Sequence, residues 1–240
     1  MHEDLRGMLR RCGSDVSIHP SVIIEHPELV ELGDRVRLEA GVQILGTPQE
    51  IFLGNDVTFR SNCTIDGGTG SLRVDDRVLF FPGNFLALGR SDVGPAFVSV
   101  GSDTHFAPNG VQYGWGGLTI RTCVNVAAGV VFATVSHHHR DLSRPMAFSG
   151  QRCEPITVEH DVWIGANATL TGDVWMASGS VLGANAVLTS DTEAFGIYGG
   201  VPARKIGDRR ATPAGVDCIS VSRAAGNPGR HHGGSGPASG

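Results

Sequence analysis

Apolar residues return at every sixth position over the second half of this chain. From Val158 onward the aliphatic positions are Val158, Ile164, Leu170, Met176, Leu182 and Leu188. Four residues after each comes a second, mostly small residue: Val162, Ala168, Val174, Ser180, Ala186 and Thr192. An amphipathic helix needs apolar residues every three to four positions, and a half-buried strand alternates in twos. A period of six fits neither, and it is typical of a solenoid in which three short strands and three tight corners make one turn of about 18 residues.

The same register extends backward through the first half of the chain, interrupted by insertions. Its apolar positions are Leu32, Leu38, Ile44, Leu53, Phe59, Ile65, Val74, Phe80, Leu86, Val100, Phe106, Ile120, Val126 and Phe132. Gln112 is the residue that clearly falls out of this apolar column. Ile18, Val22 and Ile24 form an incomplete first coil. The pattern therefore predicts one all-β, parallel β-solenoid domain, and its longest interruption lies between Phe132 and Val158.

Three segments flank or interrupt the predicted coils. Residues 1–15 form an N-terminal segment in which Leu5, Met8 and Leu9 have helical spacing, which favours a short helix that caps the open end of the solenoid. Residues 16–206 form the solenoid domain, with a long loop at 133–157. Residues 207–240 form a C-terminal extension, which we expect to be disordered from about residue 224 because Gly, Ser, Pro, Ala and His cannot bury enough apolar surface.

Composition and charge exclude several classes of protein. The chain has 34 glycines and 18% charged residues, and its formal net charge is −5. It contains no basic block, which argues against binding nucleic acid and against a polybasic membrane anchor. No apolar run approaches the roughly 20 residues of a membrane-spanning helix.

The five cysteines have no metal-like spacing, which favours a reduced, cytoplasmic protein. Cys63 and Cys123 are assigned to the inward-facing column of small residues, where a thiol behaves as a small hydrophobe.

The last third of the chain carries motifs specific enough to suggest a family. They are HDVWIGANATLTGDV at 160–174, GSVLGANAVLTSD at 179–191 and GGVPARKI at 199–206. These motifs resemble the hexapeptide-repeat acyltransferases, and most closely the branch that contains maltose, galactoside, colanic-acid and streptogramin O-acetyltransferases. The resemblance implies a left-handed parallel β-helix, a homotrimer, and acetyl-coenzyme A bound in a groove between neighbouring coils, with no metal. The left hand is an exception to the usual right-handed crossover and comes from the resemblance alone.

Three consecutive histidines at 137–139 are the candidates for proton transfer. Moving an acetyl group from a thioester to an alcohol requires a base near neutral pH, and a neutral imidazole suits this task. The thioester is already activated, so no covalent enzyme intermediate is required. The resemblance favours His137 as the base, because relatives place theirs where the long loop leaves a coil. His139 is the alternative, since a related pattern reads Ser-His-x-His.

The resemblance also implies which residues contact the coenzyme. Trp163 would lie beside the acyl-thioester end, and the basic pair Arg204 and Lys205 would lie near the phosphates. Alternatively, Trp163 fills a subunit interface, and Arg204 and Lys205 are a surface pair that only contributes solubility. Small residues at two equivalent corners would let the pantetheine chain approach, although corner geometry alone also explains them. These residues are Gly165, Ala166, Gly183 and Ala184.

The acceptor pocket is expected in two excursions, 86–98 and 108–117. The second contains Asn109, Tyr113 and Trp115, and aromatic faces often stack on sugar rings. Ser136 and Asn109 are candidates to stabilise an oxyanion, and Asp141 and Glu154 are candidates to orient the base. Taken together, the sequence predicts a coenzyme-A-dependent O-acetyltransferase that acts on a sugar or a sugar-like small molecule, although an amine acceptor would use the same base.

Two other classes of function remain open at this point. A non-catalytic scaffold would keep the coils and lose the chemistry. A zinc enzyme of the γ-carbonic-anhydrase type would need three converging ligands and an open position, so His105 and His160 would have to join the histidine cluster.

Overall fold

Residues 5–211 are described by a computed structural model, in which the chain winds into a parallel β-helix. Strands of successive coils pair in register to form three long sheets, here called faces 1, 2 and 3. In each complete coil the chain passes from face 1 to face 2 and then to face 3. The expected disorder beyond residue 224 concerns residues outside the described range. No helix within residues 5–211 has the length and apolarity needed to cross a membrane.

The strands are short, and all those of faces 1 and 3 are parallel. Face 1 consists of Arg11–Cys12, Val30–Leu32, Glu50–Leu53, Ser71–Val74, Phe97–Val100, Leu118–Ile120, Ile156–Val158 and Val174–Met176. Face 2 consists of Ser17–Ile18, Arg37–Leu38, Thr58–Phe59, Leu79–Phe80, His105–Phe106, Asn125–Val126, Trp163–Ile164, Val181–Leu182, Gly196–Gly199 and the antiparallel Arg204–Asp208. Face 3 consists of Ile23–Ile24, Gln43–Leu45, Thr64–Asp66, Phe85–Ala87, Val111–Tyr113, Val131–Ala133, Thr169–Thr171 and Val187–Leu188.

The remaining elements are small. An antiparallel ribbon joins Val135–His137 to Gln151–Cys153. Short 3-10 helices cover Leu5–Gly7, Pro27–Leu29, Met146–Phe148 and Arg209–Ala211. In the N-terminal segment, residues 8–10 separate the 3-10 turn from the first strand of face 1.

The six-residue period is confirmed as the inward-facing column of each face. Val158, Ile164 and Leu170 lie on faces 1, 2 and 3 of one coil, and all three are fully buried. In successive coils, similar residues therefore stack on one another. The rings of Phe59 and Phe80 stack with centroids 4.3 Å apart, and Phe106 continues the stack at 4.4 Å. The core is this continuous apolar column along the axis of the solenoid.

Insertions are concentrated at one corner. The steps from face 1 to face 2 and from face 2 to face 3 are six residues in every complete coil, whereas the step from face 3 to face 1 varies in length. We call this variable turn the insertion corner. It contains residues 88–96 and the ribbon. The prediction of a large excursion at 108–117 was wrong, because Val111–Tyr113 is a regular strand of face 3.

The exception to the apolar column, Gln112, forms a buried polar pair. Its Nε2 donates a hydrogen bond of 3.2 Å to Asn84 Oδ1, and both side chains are buried. Gly110 makes room for the pair, since a Cβ at that position would lie 2.6 Å from Gln112 Nε2. Within residues 5–211, Gln112 Oε1 has no hydrogen-bond partner. A buried amide oxygen without a partner reduces stability.

A double-mutant cycle tests this polar pair. Asn84→Val or Gln112→Leu alone is expected to lower the free energy of unfolding by about 1–3 kcal/mol, because each leaves a buried partner unpaired. The double variant restores the apolar columns of the other coils, so its loss should be clearly smaller than the sum of the single losses. Urea unfolding measures all four proteins. Strictly additive losses would show that the two side chains do not depend on each other.

The two cysteines assigned to the inward column differ in the structure. Cys63 is fully buried, and burial raises the pKa of its thiol to about 11. Cys123 is exposed and has a positive φ of 61° at the corner between faces 1 and 2. The assignment of Cys123 was wrong by one residue, because Val124 is the buried member of the column there.

This difference predicts selective alkylation of the native protein. At pH 8, iodoacetamide should modify the exposed Cys123 much faster than Cys63, since the reactive species is the thiolate and burial keeps Cys63 protonated and out of reach. In urea both should react alike, as peptide mass spectrometry would show. Equal native rates would contradict the burial of Cys63.

Burial of Cys63 also predicts that stability depends on pH. The folded thiol stays protonated while an unfolded one ionises, so the free energy of unfolding should fall as the pH rises from about 8.5 toward 11.

Candidate functional site

The ribbon that carries the histidines is anchored firmly at its base. Glu154 N donates to Thr134 O over 2.9 Å, which closes the two strands against each other. Thr134 Oγ1 donates to Tyr113 O over 2.8 Å and accepts a hydrogen bond from Gly116 N over 3.1 Å. The base of the ribbon is therefore fixed to the preceding coil at the insertion corner.

His137 ends the first strand of the ribbon, and its ring orientation suits a general base. Its Nδ1 lies 3.2 Å from the carbonyl oxygen of Gly150. Because a carbonyl can only accept, this contact places the proton on Nδ1 and leaves the lone pair of Nε2 free. The side chain is exposed, so Nε2 is accessible to a substrate hydroxyl.

The other two histidines of the triplet lie in the turn beyond the strand. His139 Nδ1 lies 3.2 Å from His137 O, which favours the same tautomer in a residue outside the ribbon pairing. His138 N contacts Gly150 O at 3.4 Å. Of the three, His137 is the one whose backbone is held by a strand partner.

Neither predicted carboxylate orients His137. Asp141 accepts hydrogen bonds from Ser143 Oγ and N, which lowers the pKa of its carboxyl group. Glu154 instead pairs with Arg152. The carbonyl oxygen of Gly150 takes the orienting role, and no sequence motif marks a carbonyl group.

The predicted acceptor and oxyanion residues are divided between different corners. Tyr113 and Trp115 lie at the end of face 3 and at the insertion corner, close to the base of the ribbon. Trp115 packs there over Gly89, where an added Cβ would lie 2.9 Å from its Cγ. Asn109 lies at the corner between faces 2 and 3 with φ of 62°, and its side chain packs over a glycine of the preceding coil. Ser136 pairs with Arg152, so its side chain points to the side of the ribbon away from that of His137.

The predicted coenzyme residues lie on face 2 and at its corner with face 3. Trp163 points outward and is 52% exposed. Gly165 and Gly183 stack one coil apart, and a Cβ on Gly165 would lie 2.5 Å from Ala184 N. Close stacking therefore explains Gly165, which is itself buried, whereas Ala184 is exposed and Ala166 is half-buried. The structure confirms that these small residues occupy equivalent corners.

The two basic residues of the C-terminal hairpin differ in their partners. Lys205 Nζ lies 2.6 Å from Glu193 Oε2 and 3.5 Å from Asp208 Oδ2. This hydrogen bond to Glu193 raises the pKa of the lysine. Arg204 is exposed and donates from Nη1 to its neighbouring carbonyl, Ala203 O, over 2.9 Å. Arg204 is thus the better placed of the two to meet an added phosphate.

The described residues show no metal-binding cluster. Within residues 5–211, no three His, Cys, Asp or Glu side chains lie close enough together to hold a metal ion. His160 Nδ1 is 2.7 Å from Thr122 Oγ1, and His105 lies on face 2. A depression of about 460 Å³ lies near the N-terminal end, lined in part by His19, Arg37 and Glu39, away from the ribbon.

The predicted site residues therefore form two groups within one chain. His137, His139, Tyr113 and Trp115 lie at or next to the insertion corner. Trp163 and the stacked small residues lie on face 2 and at the next corner. In a coil of triangular section, face 2 lies opposite the insertion corner. A single chain does not bring the two groups together.

Comparison with known proteins finds partial matches to curated sequences. No protein-family profile matches the chain. It is 28% identical over 196 residues to the bifunctional protein GlmU of Xylella fastidiosa (strain 9a5c), which covers 80% of this chain and 38% of the relative. It is 27% identical over 135 residues to chloramphenicol acetyltransferase of Klebsiella aerogenes, which covers 56% of this chain and 54% of the relative. The chain thus spans about 40–55% of the length of these curated relatives.

Solved structures confirm the architecture. The N-acyltransferase AntD from Bacillus cereus, in complex with dTDP and 3-hydroxybutyryl-CoA, superposes with a TM-score of 0.52 at 18% identity over 85% of each chain. The polysialic acid O-acetyltransferase OatWY superposes with a TM-score of 0.53 at 17% identity over 82% of this chain and 87% of its own. The chain therefore shares the β-helix fold of these two structures.

Proposed function

We propose that the chain is a coenzyme-A-dependent acyltransferase that acetylates a hydroxyl of a sugar or sugar-like molecule. The observation that carries this proposal is His137, held by a backbone carbonyl at Nδ1 with Nε2 free and exposed. The similarity to an acetyltransferase and the fold shared with two acyltransferases support the same reaction class.

The proposed chemistry needs one base and no covalent enzyme intermediate. His137 Nε2 removes the proton of the acceptor hydroxyl as its oxygen attacks the thioester carbonyl. The C–O bond forms, the C–S bond breaks, and the sulfur of coenzyme A leaves with the electron pair. The imidazolium then returns its proton to the thiolate. Gly150 O accepts from Nδ1–H throughout and stabilises the positive charge on the ring.

The choice of acceptor is the finer part of the proposal. AntD is an N-acyltransferase and OatWY is an O-acetyltransferase, so the shared fold serves both acceptor types. Tyr113 is half-buried at the end of face 3 beside the anchor of the ribbon, where an aromatic ring can stack on a sugar face. We favour a sugar acceptor because Tyr113 lies beside Thr134, the residue that anchors the ribbon of the proposed base.

A transfer assay tests the reaction class directly. Radiolabelled acetyl-coenzyme A is incubated with the protein and matched pairs of sugars that differ only in one hydroxyl or amino group. We expect label in the hydroxyl sugars and stoichiometric release of free thiol. Label only in the amino sugars would overturn the choice of oxygen, and no transfer to any acceptor would overturn the proposed function.

We further propose that the complete site forms between subunits of a homotrimer. The proposed base and the proposed coenzyme residues lie on opposite sides of one chain, so a neighbouring copy has to supply the second half. An inactive His137→Ala protein and an inactive Trp163→Ala protein should regain activity when they are co-expressed, because a mixed trimer contains one intact interface. A mixture that stays inactive while mass spectrometry shows mixed trimers would contradict the shared site.

A further inference from the structure

The register of the ribbon determines which residue shares a side with the proposed base. His137 pairs with Gln151, Ser136 with Arg152, and Val135 with Cys153. Directly opposed residues of an antiparallel pair point to the same side, with Cβ atoms about 4.5–5.5 Å apart. Gln151 is therefore the cross-strand neighbour of His137, whereas Ser136 and Arg152 point to the other side.

The side of the ribbon that carries His137 and Gln151 faces into the molecule at the end of the ribbon nearest the coils. Val135 and Cys153, on that side, are half-buried, whereas Ser136 and Arg152 are exposed. Cys153 contacts the loop at residues 88–96, since a Cβ on Gly94 would lie 3.2 Å from its Sγ. The ribbon and this loop thus meet at the base of the side on which the imidazole projects.

The side chain of Gln151 is free to bind a ligand. It is exposed and makes no hydrogen bond within the part of the chain that the structure describes. Its neighbour on the opposite side, Arg152, is already engaged with Glu154. A primary amide offers two donors and one acceptor and does not change protonation near neutral pH. Such a group can hold a polar substituent without competing with the imidazole for a proton.

We infer that Gln151 binds the acceptor, by hydrogen bonds to a polar group adjacent to the hydroxyl that His137 deprotonates. This inference rests on the proposed function and narrows its substrate class: the acceptor is a molecule with neighbouring polar groups, such as a vicinal diol, and not a simple alcohol. The amide fixes the direction in which the reacting hydroxyl presents its proton to Nε2, which matters because proton transfer requires hydrogen-bond distance.

The test compares Gln151→Leu with Arg152→Leu in the assay with the best hydroxyl acceptor. Gln151→Leu removes the amide but keeps the size of the side chain, whereas Arg152→Leu changes the next residue on the opposite side of the ribbon. We expect Gln151→Leu to lower kcat/KM for the acceptor about 10- to 100-fold, the usual effect of one lost substrate hydrogen bond. The KM for acetyl-coenzyme A should stay unchanged, and Arg152→Leu should remain within about twofold of the wild type.

Acceptor analogues supply the second readout. With the wild type, a deoxy analogue that lacks the neighbouring hydroxyl should react more slowly than the full acceptor. With Gln151→Leu, the same deletion should lower the rate little further, because the hydrogen bond is already lost. If the wild type is active and Gln151→Leu matches it, or loses affinity for acetyl-coenzyme A alone, this inference is overturned while the proposed function stands. If the wild type transfers no acetyl group, both fall. Should Gln151→Leu melt earlier than the wild type, Gln151→Met, which keeps the unbranched shape and removes the amide, replaces it with the same expected loss.

Discussion

Replacing His137 with alanine is expected to lower kcat for acetyl transfer by about two to four orders of magnitude, the usual range for a lost general base. The side chain is exposed and makes one hydrogen bond, to Gly150 O, so the fold should not depend on it. The KM for acetyl-coenzyme A and the melting temperature should stay near those of the wild type. Steady-state kinetics over a range of substrate concentrations, together with thermal unfolding, measure these quantities.

The adjacent histidines are the matched controls for this prediction. His138→Ala should retain most of the activity, because His138 follows the last paired residue of the ribbon. His139→Ala is the sharper comparison, since its Nδ1 also faces a carbonyl oxygen. If His139→Ala lost activity by more than a hundredfold while His137→Ala kept it, the base would be His139 and the assignment made here would be wrong.

The second large effect is expected from Gly116→Ala at the base of the ribbon. A Cβ on Gly116 would lie 2.3 Å from Glu154 O, 2.4 Å from Glu154 N and 2.5 Å from Thr134 O. These are backbone atoms of the two residues that close the ribbon, so they cannot move without shifting it. We expect a loss of about 3 kcal/mol in the free energy of unfolding, in the range typical of overpacking. Activity should fall as well, because the ribbon carries His137.

A glycine in open surroundings provides the control. Gly7 has no atom within 4 Å of an added Cβ, so Gly7→Ala should leave both stability and activity unchanged. Urea unfolding of the two variants side by side separates crowding at Gly116 from a general effect of the extra methyl group. A Gly116→Ala protein with wild-type stability would mean that the ribbon base has more room than these distances allow.

Much of the fold could be predicted from the spacing of its apolar residues. The period of six assigns a face to each of Val158, Ile164 and Leu170, because the side chains that fill a narrow triangular core must recur once per strand. The assignment failed for Cys123, where a shift of one residue turns a side chain from the core to the corner. The same pattern also indicates where the insertions lie, because every gap in the period of six follows the third strand of a coil.

The candidate site could be predicted only in part. The triplet drew attention to His137, but the group that orients its ring is the carbonyl of Gly150, and every residue has a carbonyl. The pairing of His137 with Gln151 depends on the register of the ribbon, which the long loop at 138–150 does not specify in the sequence. Glu154 illustrates the opposite error, because a nearby carboxylate suggested an orienting role, whereas it pairs with Arg152.

Calorimetric titration of the purified protein with acetyl-coenzyme A tests the central claim most directly, because it needs no knowledge of the acceptor. We predict saturable binding near one molecule per subunit, with a Kd between about 1 μM and 1 mM, the usual range of substrate affinities. His137→Ala should bind equally well, since the base acts in the chemical step. No binding to the wild type at millimolar concentrations of acetyl-coenzyme A would contradict a coenzyme-A-dependent transferase.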